Sequence, residues 1–156
     1  MIKRVAVLGS GTMGSQIAAL LADHGINCDL LDLKHDKDPN FLAKSAVERL
    51  HTLKPKPVSD YHVLSLIEPG NFEDDLSRLS NSEWVIEAVS EDIHIKQNIW
   101  AMAAEYITPN TIISTNTSGI PISEISKALP PKIRHQFLGS HFCNPPKYLP
   151  LLELIT

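Results

Sequence analysis

The segment "VAVLGSGTMGSQIAALLADHGINCDLLD", Val5–Asp32, decides the fold. An apolar, β-branched run at Val5–Leu8 reads as a strand. It meets three glycines, then an amphipathic stretch from Met13 to His24, then a second apolar run at Cys28–Leu31 that ends in Asp32. Gly9, Gly11 and Gly14 fit G-x-G-x-x-G. That spacing alone is weak, because glycine-rich turns are common. Between a strand and a helix, however, the three glycines serve distinct purposes. They allow the tight turn, the close approach of backbone to a pyrophosphate, and close helix–strand packing. Thr12 and Met13 open the helix, whose first N–H groups and positive dipole end suit phosphate. Thr12 is also the expected cap of that helix, and Gly25 its end.

Asp32 closes the second strand, where a carboxylate accepts hydrogen bonds from adenosine ribose hydroxyls. An acid there repels a 2′-phosphate, so NAD is expected as cofactor. Lys34, two residues on, keeps NADP open as an alternative, because a lysine pairs with phosphate as a point charge.

Further apolar runs follow at Val63–Ile67, Trp84–Val89, Thr111–Ser114, Phe137–His141 and Leu151–Ile155. Helical patterns lie between them at Phe41–Leu53, Ile93–Tyr106 and, more briefly, Ile122–Leu129. Continuous apolar strands alternating with helices predict a mostly parallel sheet covered on both faces. The expected fold class is α/β: a Rossmann-type, doubly wound sheet with helices on both faces, in one domain over 1–156. Tight turns are expected at "LPP" (Leu129–Pro131) and "NPP" (Asn144–Pro146).

The composition excludes several classes. With 156 residues, 43% hydrophobic and 21% charged, the chain reads as an ordinary globular domain. A net charge of −4 and no long basic run argue against nucleic acid or an anionic membrane surface. No apolar stretch reaches the roughly 20 residues of a membrane span. Two cysteines make no disulfide framework, and seven histidines show no metal-ligand spacing, so no metal is expected. The N-terminus enters a strand at once, which leaves no room for a secretion signal, so a cytoplasmic location is expected.

The second half carries the chemistry. His141 follows a strand end, where an imidazole titrating near neutrality can take a hydroxyl proton. Glu153, in "LLELI", is a carboxylate within an apolar strand and needs a partner. Paired with His141, it would orient the ring and favour its protonated form. Ser118 in "NTSG" can hydrogen-bond a substrate oxygen, and Asn116 and Asn144 can orient the same network; turn chemistry is the alternative reading of each.

"GSGTMGSQIA", "EAVSEDIHIKQNIW", "STNTSGIPISEI" and "GSHFCNPPKYLPLLELI" together resemble, in order and spacing, the NAD-binding domain of L-3-hydroxyacyl-CoA dehydrogenases. The likeness runs over essentially the whole chain and is nearest the bacterial multifunctional fatty-oxidation type, where a "KPKP"-like segment also occurs. It implies reversible oxidation of a 3-hydroxyacyl-CoA to the 3-oxo form in fatty-acid β-oxidation or a related pathway. His141 and Glu153 match the family's catalytic pair, and Ser118 a contact to both nicotinamide and substrate. Glu91 and Lys96 match positions near the nicotinamide ribose; by themselves they read as a solvated helix start. Gly119 stands where the family often has a second serine, and Cys143 where it often has an aromatic. The resemblance also implies a helical, dimerising, substrate-closing domain beyond Thr156, with a catalytic asparagine before it. Homo-oligomers are therefore expected, and residues 1–156 alone are expected to be inactive. A non-catalytic nucleotide-binding relative is the alternative. So is another β-hydroxyacid dehydrogenase with a lysine base, against which "HF-x-NP" with Glu153 argues.

Overall fold

The computed structural model describes residues 1–156. Its seven strands are β1 (Arg4–Leu8), β2 (Asn27–Asp32), β3 (Ile67–Asn71), β4 (Trp84–Glu87), β5 (Ile112–Thr115), β6 (Phe137–Phe142) and β7 (Leu152–Ile155). They form one sheet in the order β3-β2-β1-β4-β5-β6-β7. All neighbours run parallel except β6 and β7. The order reverses between β1 and β4, which opens a crevice at the carboxyl ends of the strands where ligands of such sheets bind. The doubly wound fold expected from the alternating pattern is present.

Helices cover both faces. On one side, α1 (Thr12–Asp23) and α2 (Phe41–Leu50) pack on the sheet through Ile17, Leu21, Ala46 and Leu50. On the other, α3 (Ile93–Ala103) seats Ile99 and Trp100 against Val85 and Ile113. Short helical turns at Ile122–Ile125 and Pro131–Arg134 complete that layer. Val5, Ala6, Val7 and Leu8 are all inaccessible, because β1 is central and both its faces are covered. No helix is long and apolar enough to cross a membrane.

Three local expectations are corrected. Thr12 does not cap α1: the N-cap is Gly11, in extended geometry, and no side chain caps the helix. The other end is as expected, with Gly25 at φ +75°. Its N–H donates to the Ala22 carbonyl and that of Ile26 to Leu21, the paired bonds of a Schellman end. The apolar run at Val63–Ile67 is not a strand. Asp60 accepts from the His62 N–H and starts a tight helical turn over Tyr61–Leu66, which pushes the strand to Ile67–Asn71. Pro69 is tolerated there because β3 lies at the sheet edge. At "LPP", Pro131 opens a short helix rather than a simple turn.

Candidate active site

The site is built at the carboxyl ends of β1, β2, β4, β5 and β6. Gly9 takes φ +104°, and a Cβ there would lie 2.7 Å from the Ala88 carbonyl oxygen. A Cβ on Gly14 would lie 1.8 Å from the Gly9 carbonyl oxygen, so α1 crosses β1 at a distance only glycine allows. Gly11 differs: nothing stands within 4 Å of its Cβ position, which opens on the crevice. An open glycine beside an uncapped helix start fits a pyrophosphate, whose oxygens can take the first N–H groups of α1.

Asp32 borders the same cleft, a space of about 360 Å³ that Phe72, Ile95 and Met102 line on the apolar side. Its Oδ2 accepts from the backbone N–H and hydroxyl of Ser10, both at 2.6 Å. Its Oδ1 accepts from the Leu33 N–H at 2.7 Å. Asp32 therefore ties the glycine turn to the end of β2 at the edge of the cleft.

An adjoining cleft of about 580 Å³ holds the second group of residues. Gly11, Thr12 and Met13 line it on one side, and Ser118, His141 and Asn144 on the other. Within it the Asn116 side-chain oxygen accepts from the Phe142 N–H at 2.9 Å, which leaves its NH2 free to donate. Gln16 Nε2 donates to Asn144 Oδ1 at 3.3 Å, which likewise leaves the Asn144 NH2 free to donate. His141 and Glu153 are direct cross-strand partners on β6 and β7. His141 Nδ1 lies 2.6 Å from Glu153 Oε2. A carboxylate can only accept, so Nδ1 carries a proton, and in the neutral ring Nε2 is the nitrogen that can accept one.

Glu91 and Lys96 are arranged unlike a solvated helix start. Lys96 is 1% exposed and does not line either cleft. Its ammonium donates to Glu87 Oε1 at 2.7 Å and lies 3.4 Å from Glu91 Oε2. Glu91 Oε1 accepts from the Thr117 hydroxyl and from the Ser118 and Gly119 N–H groups at 3.2 and 3.1 Å. Burial acts to raise the Glu91 pKa, but the Thr117 hydroxyl, the Gly119 amide and Lys96 outweigh it and hold the carboxyl below its usual range.

Glu87, which the sequence pattern did not single out, is fully buried beneath this network. It accepts from the Val89 N–H at 2.8 Å and from the Thr115 hydroxyl at 2.6 Å, besides Lys96. The available signal was an acid at the end of the apolar run "WVIE", the same cue that marked Glu153.

The sequence profile of the family described as "3-hydroxyacyl-CoA dehydrogenase, NAD binding domain" matches residues 4–156. The chain belongs to that family.

Its cofactor is accordingly NAD. A Deinococcus radiodurans protein, "Probable 3-hydroxyacyl-CoA dehydrogenase", is 44% identical over 156 residues, covering 99% of this chain and 45% of its own length. A 3-hydroxybutyryl-CoA dehydrogenase of Mycobacterium tuberculosis is 35% identical over 99% of this chain and 54% of its own. The crystal structure of 3-hydroxybutyryl-CoA dehydrogenase from Escherichia coli K12 superposes with a TM-score of 0.79 at 30% identity, covering 99% of this chain and 32% of that one. The chain thus spans about half, or less, of the length of these relatives.

Proposed function

We propose that this NAD-binding domain serves the reversible oxidation of a 3-hydroxyacyl-CoA to its 3-oxo form, with His141 as general base. The observation that carries the reading is the 2.6 Å His141–Glu153 pair at the rim of the cleft shared by Ser118, Asn116 and Asn144. NAD, when bound, accepts the hydride. Glu153 fixes the ring through Nδ1 and leaves Nε2 to take the proton from the hydroxyl oxygen, while the carbon bearing that oxygen gives up hydride and the C=O bond forms. Ser118 hydrogen-bonds the reacting oxygen, with the Asn116 and Asn144 amides as donors beside it. Gly9, Gly11, Thr12, Met13 and Gly14 form the pyrophosphate turn, and Asp32 takes the adenosine ribose. Glu91 and Lys96 act on the nicotinamide side by holding the 117–119 turn.

The greater length of the relatives supports a further domain that completes the acyl-CoA pocket and carries self-association. Two free cysteines, one of them buried, support a reducing, cytoplasmic setting.

The test mixes residues 1–156 with NADH and acetoacetyl-CoA and follows loss of nicotinamide absorbance. NADH should bind while turnover stays far below the ordinary range of about 1–10³ s⁻¹, since positioning of the reacting groups contributes about 7–11 kcal/mol of barrier lowering. Turnover within that range would show that no further domain is needed. In a form carrying the partner domain, a His141→Ala variant with natural turnover would remove this histidine from the reaction.

A further inference from the structure

The first apolar cleft contains a cation that the cofactor reading does not use. Lys34 leaves the end of β2 two residues after Asp32 and lines the same cleft. It is the one cation lining that cleft, and so the one charge there suited to a ribose 2′-phosphate. Its ammonium is taken, however: Nζ lies 3.0 Å from Asp74 Oδ1 and 3.5 Å from Glu73 Oε2. The Asp74 hydrogen bond holds Lys34 above its ordinary pKa, and the same bond holds Asp74 below its own.

The turn that carries the two acids is fixed in place. Asn71, the last residue of β3, pairs in register with Asp32 and is 1% exposed. Its side-chain oxygen accepts from the Glu73 and Asp74 N–H groups at 3.0 and 2.9 Å. Its NH2 donates to Asp74 Oδ2 at 3.1 Å. The Phe72 N–H donates to the Asp32 carbonyl at 2.9 Å. The acidic turn is thus docked on the end of β2, directly beside the ribose-binding carboxylate.

We propose that Glu73 and Asp74 are specificity-determining residues: they hold Lys34 and, with Asp32, surround the ribose 2′ side with acid, so that NADP is rejected at two layers rather than one. Half-exposed ion pairs are weak contributors to stability, so the strength of the Lys34 bond is not what decides. Three carboxylates against one ammonium leave this rim negative. An entering 2′-phosphate must displace Lys34 from both acids and then lie beside them.

The inference rests on the reading that Asp32 takes the adenosine ribose, and the experiment separates the two. Calorimetric titration of the chain with NADH and NADPH compares the natural protein, Glu73→Gln/Asp74→Asn, and the triple variant that adds Lys34→Ala. The substituted side chains are exposed and the replacements near-isosteric, so the 71–74 turn is retained. Freeing one charge-assisted contact predicts about tenfold tighter NADPH binding by the double variant, with NADH within about twofold of natural. The triple variant should lose the larger part of the gain, which belongs to Lys34, and keep only the part that comes from removing the two acidic charges. An unchanged NADPH-to-NADH ratio in the double variant overturns the proposal. So does a gain of undiminished size in the triple variant, since Lys34 would then have no part in it. If the natural protein binds NADPH as tightly as NADH, it is the Asp32 reading that fails.

Discussion

His141 and Glu153 stand opposite each other on the sheet's one antiparallel strand pair, with Nδ1 and Oε2 2.6 Å apart. A twelve-residue separation in sequence becomes a cross-strand contact because the chain reverses through Asn144–Pro150 and returns along β6. In a longer form carrying the proposed acyl-CoA-binding domain, His141→Ala is expected to lower turnover by about 10²–10⁴-fold. Glu153→Gln keeps the shape but replaces one acceptor oxygen by a donor, and should lower turnover by about tenfold or more for want of a fixed tautomer. NADH affinity, measured by titration, should change less than about twofold in either variant. A fall in turnover matched by the same fall in cofactor affinity would place this pair in cofactor binding instead.

Asp32→Ala is expected to weaken NADH binding by about 1.5–3 kcal/mol, the scale of hydrogen bonds to a charged group. The same carboxylate holds Ser10 through two 2.6 Å contacts, so the glycine turn should also become more mobile. Amide hydrogen exchange at Ser10 and Gly11 checks the second effect separately from the first. Unchanged exchange would confine Asp32 to the ribose.

Gly11 and Gly14 should fail in different ways. Gly14→Ala places a Cβ 1.8 Å from backbone oxygen and must push α1 off β1, at a cost of about 3 kcal/mol or more. Gly11→Ala meets nothing within 4 Å and should leave the urea midpoint nearly unchanged. It should nonetheless weaken NADH binding, because the added methyl occupies the space left for pyrophosphate. Equal destabilisation of both variants would contradict this division.

The buried Glu87–Lys96 pair predicts strong non-additivity. Lys96→Met leaves Glu87 charged and without its cation at 0% exposure, which should cost about 3–5 kcal/mol in urea unfolding. Adding Glu87→Gln should restore a large part of that loss, since the uncompensated charge disappears while the amide oxygen can still accept from the Val89 N–H and the amide NH2 can donate to the Thr115 hydroxyl oxygen. Additive losses would mean that the two groups act independently.

Glu91 ties pH to the 117–119 turn. Its pKa is lowered in the folded state, so the stability it contributes is present above the unfolded value and lost as pH falls through the lower folded one. The natural protein should therefore exceed Glu91→Gln in stability at neutral pH, and the gap should close on acidification below the usual carboxylate range. Urea midpoints of both proteins along a descending pH series test the sign. A gap that widens toward acid would reverse it.

Much of this molecule is written locally. From Val5 to Asp32 the strand, glycine turn, helix and acid each follow from neighbouring residues: apolar periodicity, the φ freedom of Gly9 and Gly25, and the position of Asp32 at a strand end. The doubly wound, mostly parallel sheet follows almost as directly from alternating strands and helices, while its strand order came from the structure. His141 and Glu153 were legible as a base and a carboxylate in need of a partner. Their meeting was decided by the register of β6 and β7.

The remainder needed three dimensions. Val63–Ile67 has the composition of a strand, yet the Asp60 cap and the neighbouring Pro69–Gly70 edge shift pairing to Ile67–Asn71. Lys96 has the periodicity of a surface residue, and only the packing of α3 over the end of β4 turns it inward to Glu87. Lys34 is a free cation in one dimension and a neutralised one in three, because β3 brings Glu73 and Asp74 beside it from forty residues away. Backbone conformation and apolar pattern act over one turn or one strand and are fixed by sequence. Charge pairing acts across whatever the fold makes adjacent, so which ions are matched, and which are left for a ligand, is decided only by the tertiary structure.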